Sequence, residues 1–230
     1  MLNFLSAWCY NFFEAFLLTD YGRRIVMNKL LLGVLISGGG TNLQKIIDRI
    51  GDGTLCAEVA VVISNKTDAY GLERARNAGI RAVFLDPKSF SSKHEFDQAI
   101  AEELQHSGVQ LVVMAGYMRL LGKEVLDAFP GKVINLHPAL LPSFKGEHGI
   151  ADAFAYGVKV TGVTVHFADG EYDTGPIIAQ TPIAVLEDDT VESLEQRIHD
   201  AEYKILPRVI QLFSEGRVKI DGRRIHIDQR

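Results

Sequence analysis

The sequence is short of the features that mark several classes of protein. It has two cysteines, Cys9 and Cys56, in 230 residues. That is too few for a disulfide framework, and neither lies in a Cys-x-x-Cys pair or a Cys/His cluster with metal-ligand spacing. A reducing, cytoplasmic setting is expected, with no metal. Positive charge is scarce as well: 24 Lys and Arg against 29 Asp and Glu leave a net charge of -5. The chain therefore lacks the basic field that a nucleic-acid or anionic-membrane partner requires. Small-molecule substrates are the expected partners. Internal repeats, low-complexity tracts and linkers are also missing.

The chain also has no apolar run of the length, about 20 residues, that a membrane span needs. Its first 26 residues are aromatic-rich, but Glu14 and Asp20 interrupt them, and Arg23 and Arg24 follow the apolar stretch. A secretory signal has its charges in the opposite order. Residues 1–26 are read as an N-terminal extension, either an upstream start or an accessory helix with Phe4, Trp8, Phe12 and Phe16 on one face. The domain proper is drawn at 27–230.

What is present is an apolar content of 47%, enough for one buried core and rather little for two. From Leu30 onward, short apolar runs alternate with amphipathic stretches. The runs are LLLGVLI (30–36), VAVVIS (59–64), AVFL (82–85), LVVMA (111–115) and VINL (133–136). Helical patterns fall near Asn42–Arg49, Tyr70–Ala78, Ser92–His106 and Gly122–Ala128. Strands buried on both faces between crossover helices make a doubly wound, mostly parallel α/β sheet of Rossmann-like type. Beyond Pro142 the rhythm changes: a helix near Gly149–Tyr156 precedes TGVTVHF (161–167) and PIIAQTP (176–182). These two runs are too close together for a helical crossover and are predicted to pair antiparallel at one sheet edge. A long helix from about Thr190 and a hairpin around Asp221-Gly222 complete the pattern.

Three places in this pattern could carry chemistry. Ser37-Gly38-Gly39-Gly40-Thr41-Asn42 follows the first strand and opens the first helix, where backbone N–H groups and the helix dipole favour an anion. Leu43 stands where the dinucleotide fingerprint needs its third glycine, and the Walker lysine is absent. A mononucleotide or sugar phosphate is favoured over NAD or ATP; the alternative is a tight turn with Thr41 or Asn42 as cap. Next, Asn135-Leu136-His137-Pro138 ends a buried strand. Strand alternation puts the amide and the imidazole on one side, where they could stabilise an oxyanion and move a proton. Finally, Asp173 lies in a turn before an apolar strand. A carboxylate reaching His137 would fix its tautomer, and partial burial would raise the acid's own pKa. Taken singly, the glycine turn favours the anion site, whereas a lone strand-end histidine and an aspartate before Thr-Gly-Pro are more often structural.

Together with their surroundings these residues resemble a known family. VLISGGGTNLQ, VVISNKTDAYGLERA, VVMAGYMRLL, NLHPALLPSFKGEH, VTGVTVHF and DTGPIIAQ occur in one order between Lys29 and about Gly216. In this the chain is similar to the folate-dependent glycinamide ribonucleotide formyltransferases of purine synthesis. The resemblance implies that Asn135 and His137 polarise a formyl carbonyl, that Asp173 organises His137 and a water, and that 10-formyltetrahydrofolate is the donor, without a metal. It places the substrate phosphate on Gly39, Gly40, Thr41 and Asn42, with His148 nearby, and the ribose at Glu202. Met118, Arg119, Leu120 and Leu121 match the folate pocket, with Arg119 and Lys93 meeting the glutamate tail. Some members carry a further histidine where this chain has Ile150, and the Leu141–Pro142 bond matches one that is cis in relatives. A monomer or homodimer is expected.

Two enzymes that share the same polar trio are the rivals. Methionyl-tRNA formyltransferase would add a basic C-terminal domain, and formyltetrahydrofolate deformylase a regulatory domain before Leu30. The glycine turn and the chain length favour ribonucleotide transfer over both. A non-catalytic phosphate-binding module is the reading from another class, and the intact trio counts against it.

Overall fold

Five of the apolar runs become parallel strands in the computed structural model. The structure describes residues 29–229, together with the backbone of a two-residue ribbon in which β1 (Thr19–Asp20) pairs antiparallel with β2 (Arg23–Arg24). Apart from that ribbon, the extension drawn at 1–26 and the domain start at Met27 lie outside the described residues.

The main sheet has seven strands: β3 (Leu30–Ile36), β4 (Ala57–Ser64), β5 (Arg81–Phe84), β6 (Leu111–Met114), β7 (Val133–His137), β8 (Val160–Phe167) and β9 (Ile177–Ala184). Their order is β5-β4-β3-β6-β7-β8-β9. The first five in this order are parallel, and β8 and β9 add antiparallel at the β7 edge, as their close spacing in the sequence predicts. All four residues of β6 are buried, which is why it reads as a continuous apolar run.

Helices cover both faces. On one lie α1 (Thr41–Gly51), α2 (Tyr70–Asn77), α5 (Gly149–Tyr156) and α6 (Val191–Ser214), which pack Leu43, Ile46, Leu72, Ile198 and Leu206 onto Val34, Val113 and Val165. On the other, α3 (Lys93–His106) and α4 (Lys123–Ala128) pack Phe96, Ile100, Leu104 and Val125 onto Leu35, Ile63 and Val112. Each such fully buried side chain stabilises the fold by about 1.5–3 kcal/mol. Ser92 caps α3 by accepting from the Glu95 N–H at 3.2 Å, and Thr190 and Ser193 form a reciprocal cap on α6. The chain closes with the hairpin β10 (Val218–Asp221) and β11 (Arg224–Ile227), turning at Gly222-Arg223.

The turn from β3 into α1 explains one glycine in physical terms. Gly40 has φ 68, and a Cβ there would lie 2.6 Å from the Cα of Gly71. The α1 and α2 ends can approach this closely only because both positions lack a side chain. Gly40 is the N-cap of α1, with no side-chain cap among the described residues, so Thr41 and Asn42 are not caps. The five parallel strands deliver their carboxyl ends to one edge, where an open α/β sheet forms its ligand crevice.

Candidate active site

A cavity of about 280 Å³ opens at that edge. Its floor is the end of β7, carrying Asn135, Leu136 and His137. One wall is the Gly116–Leu121 loop that follows β6, and another is the β8–β9 loop with Asp173. Asn135, His137, Asp173, Met118, Arg119, Leu120 and Leu121 all line this cavity, so the structure brings together residues from three separate stretches of the sequence.

His137 is buried, and its Nε2 lies 2.8 Å from the Phe144 carbonyl oxygen. A carbonyl can only accept, so Nε2 carries the hydrogen. The tautomer is thus set by a main-chain oxygen, not by Asp173 as the sequence suggests. This leaves Nδ1 facing the Asp173 Oδ2 at 3.4 Å. That same Oδ2 accepts from the Gly146 N–H at 2.8 Å, and Oδ1 accepts from Asn135 Nδ2 at 3.2 Å. Phe144 and Asp173 both sit in the left-handed region, at φ 53 and φ 55. For a non-glycine residue that conformation costs about 1–2 kcal/mol, and both instances flank His137. The Leu141–Pro142 bond is cis, as the resemblance implies. Thr164, opposite His137 in β8, holds the start of that loop by donating to the Ala139 carbonyl at 2.6 Å and accepting from the Leu141 N–H at 3.1 Å.

The electrostatics follow from this packing. Burial pushes the His137 pKa below its usual value, against the opposing pull of the Asp173 charge and the Phe144 carbonyl. The expectation of a raised Asp173 is corrected. Burial does push it up, but the contacts of His166, the Gly146 N–H and the charges of both histidines outweigh it, and the pKa is lowered. Asp173 is therefore the ionised member of the pair, placed to hold a proton on His137 Nδ1.

A second cluster, outside the cavity lining, lies within electrostatic reach of His137. Asn42, at the start of α1, donates to the buried Glu202 carboxylate on α6 at 3.0 Å, and His199 lies 2.9 Å from the same oxygen. Among the described residues the buried Asn42 Oδ1 has no partner, an acceptor suited to a ligand hydroxyl. Glu202 is close enough to His137 for its charge to favour the imidazolium. The turn itself is pinned by Arg74, whose Nε donates to the Gly39 carbonyl at 2.8 Å, and by Ser37. The Ser37 hydroxyl donates to Asn65 at 2.6 Å and accepts from the Met118 N–H at 2.9 Å.

A model of the formyl transferase family matches residues 31–210. The chain belongs to the formyl transferase family. It is 44% identical over 198 residues to phosphoribosylglycinamide formyltransferase of Haemophilus influenzae, covering 86% of this chain and 93% of that protein. To the Bacillus subtilis protein of the same name it is 46% identical over 178 residues, with 77% and 91% covered. The crystal structure of glycinamide ribonucleotide transformylase 1 from Symbiobacterium toebii superimposes with a TM-score of 0.87 at 50% identity, covering 90% of this chain and 99% of that one.

Within this formyl transferase fold, not every residue read from the sequence reaches the cavity. Arg119 lies at its rim with the guanidinium 5.2 Å from the centre of the Phe96 ring. Lys93 does not line it: the ammonium is paired with the buried Asp97. His148 is exposed at the start of α5 and is also outside the lining. Gly39, Gly40, Thr41, Asn42 and Glu202 are outside the lining too, the first four in and just after the turn from β3 into α1 and Glu202 on α6. Conversely, sequence reading missed Phe144, His199 and His166. His166 is 2% exposed and directly opposite Asn135 in the β7–β8 register. The alternation of Thr164 and His166 in VTVHF was the available signal, but only the register connects it to Asn135.

Proposed function

We propose that this protein transfers the formyl group of 10-formyltetrahydrofolate to the amine of 5-phosphoribosylglycinamide, a step of purine synthesis. One observation carries the reading: a single cavity joins the Asn135–His137–Asp173 cluster to the Met118–Leu121 loop, while Glu202, held by Asn42, reaches His137 with its charge. The names of the similar proteins support the same acceptor. The residues present fit a folate. Met118, an apolar side chain left 53% exposed at the cavity mouth, together with Leu120 and Leu121 offers an apolar surface to a ring. Arg119 offers a cation to a carboxylate tail. Lys93 would join it by leaving Asp97. The Asn42 Oδ1, unpartnered among the described residues, and the Glu202 carboxylate fit ribose hydroxyls, and the Gly39–Asn42 turn, to which the resemblance adds His148, fits a phosphate.

On this reading His137 Nδ1 takes a proton from the attacking amine. Asp173 Oδ2, 3.4 Å away, stabilises the resulting imidazolium, and the Phe144 carbonyl keeps Nε2 out of the exchange. The proton then passes from Nδ1 to the departing folate nitrogen. Asn135 supplies an N–H to the formyl oxygen as charge builds on it, and the surrounding burial strengthens that bond. The protein would act on small molecules in the cytoplasm, as a monomer or homodimer, with residues 27–230 as the catalytic domain and 1–26 as an extension.

Purified protein should convert both substrates to the formylated amide without added metal or ATP, read by mass spectrometry of the ribonucleotide. Release of formate with no formylated ribonucleotide would replace transfer with hydrolysis. Binding of the ribonucleotide with no turnover at all would favour a phosphate-binding module.

A further inference from the structure

We infer that His166 is a positioning residue for formyl transfer: its Nε2 accepts an N–H of Asn135 and so determines which end of that carboxamide faces the cavity. The inference rests on the function proposed above and concerns the same site.

His166 sits on β8, 2% exposed, opposite Asn135. Its Nδ1 is 2.8 Å from the Phe167 carbonyl oxygen. Because that oxygen can only accept, Nδ1 carries the hydrogen, and Nε2 of the uncharged ring is left with a lone pair. Nε2 lies 3.2 Å from Asn135 Nδ2. The second hydrogen of the same nitrogen is directed to Asp173 Oδ1, also at 3.2 Å. Two acceptors therefore converge on one NH₂ group. If the carboxamide turned over, its oxygen would face a nitrogen lone pair on one side and a carboxylate oxygen on the other, so two attractions would become two repulsions.

This arrangement resolves a difficulty in the proposed mechanism. Both N–H bonds of Asn135 are occupied in the structure, so stabilising a formyl oxygen requires one of them to change partner. The uncharged imidazole is a weaker acceptor than the ionised Asp173 carboxylate, since a hydrogen bond to a charged group is roughly twice as strong. His166 is therefore the partner that yields. It holds the donor aligned before reaction and releases it when negative charge develops on the formyl oxygen. A protonated His166 would instead aim Nε2–H at Asp173 Oδ1, 3.5 Å away, and would no longer accept from Asn135.

The test compares wild type with His166→Gln, His166→Asn and His166→Leu. Glutamine can return a carbonyl acceptor to the Nε2 position, asparagine reaches only the Nδ1 position, and leucine offers neither. The Asn and Leu variants should lose about tenfold in kcat, the effect expected from losing one orienting hydrogen bond. KM for both substrates should stay within about twofold, and the Gln variant should recover most of the rate. A Gln variant as slow as Leu, wild-type kcat in all three, or a loss carried in KM would overturn the inference. Since a buried position can compromise folding, nitrogen NMR of the wild-type protein provides a second measurement. His166 should carry its proton on Nδ1, and a proton on Nε2 at neutral pH overturns the inference without any substitution. Absence of formyl transfer by wild type would discard the proposed function and leave the NMR result to judge His166. An active wild type with indifferent variants would discard only the role of His166.

Discussion

Replacing Gly149 by alanine should slow the reaction without unfolding the protein. Gly149 is the first residue of α5 and lies directly behind the His137 ring. A Cβ there would be 3.0 Å from the Phe144 carbonyl oxygen, 3.2 Å from His137 Nε2 and 3.4 Å from the Ala139 Cβ. Those first two atoms are the ends of the 2.8 Å bond that sets the His137 tautomer. Comfortable contacts lie at about 3.5–4.0 Å, so the methyl must push donor and acceptor apart by a few tenths of an ångström. A buried hydrogen bond of this kind contributes about 1 kcal/mol net, and about 1.4 kcal/mol is a tenfold change in rate. Loosening it should lower kcat about fivefold, with KM unchanged. Stability is subject to an opposing effect. Alanine is favoured over glycine in a helix by up to about 1 kcal/mol, and Gly149 does not need a positive φ. The melting temperature should therefore stay within about 3 °C of wild type, given about 2–4 °C per kcal/mol for a chain of this size. The assay pairs steady-state kinetics with calorimetry on the same preparation. An unchanged kcat would refute the reasoning by showing that the Phe144 carbonyl does not hold the ring. A loss of rate with a fall in melting temperature of more than about 6 °C would show damage to the fold instead.

Three further outcomes follow from the same structure. Gly40→Ala forces alanine into φ 68 with its Cβ 2.6 Å from the Gly71 backbone; a stability loss of about 2 kcal/mol or more, measured by urea unfolding, is expected, and a neutral effect would deny the close approach of α1 and α2. Thr164→Val removes a fully buried hydroxyl that donates to the Ala139 carbonyl and accepts from Leu141 and Gln180; Gln180 keeps its bond to the Leu141 carbonyl, but leaving the Ala139 carbonyl and the Leu141 N–H unpaired should cost about 2–4 kcal/mol, again read by unfolding. Asp173→Asn removes the charge that opposes desolvation of His137, so NMR titration should show the His137 pKa lowered further, and a rise would contradict the assigned geometry. The same shift gives the pH dependence of stability. His137 in the fold titrates below its unfolded value, so the unfolded chain takes up the proton first. The His137 contribution to stability should decline as the pH falls through about 6.5 toward the folded value, whereas that of His199, raised by its bond to Glu202, is lost as the pH rises.

Much of this architecture was legible in the residues. LVVMA, VINL and the runs at 30–36 and 59–64 could only be strands buried on both faces, and they became β6, β7, β3 and β4. The short gap between TGVTVHF and PIIAQTP forbade a crossover helix, and the pair is antiparallel. Asn135 and His137 share a side because strand alternation requires it. The remainder depended on contacts that side-chain identity does not encode. The tautomer of His137 is set by a main-chain carbonyl, and any residue at 144 would carry one. The lowered Asp173 reflects competition between burial and the surrounding donors, whose outcome depends on their distances. Lys93 looked free on a helix face, but the buried Asp97 one turn along claims it. His166 acquires meaning only through the antiparallel register that sets it against Asn135.

The most direct test of the account is the division of the His137→Ala effect between turnover and binding. If Asn135, His137 and Asp173 form the reaction centre, single-turnover rates should fall by about a hundredfold to a thousandfold, while the dissociation constants of both substrates, measured by calorimetry, stay close to wild type. Equal losses in rate and affinity would make His137 a binding residue and place the chemistry elsewhere.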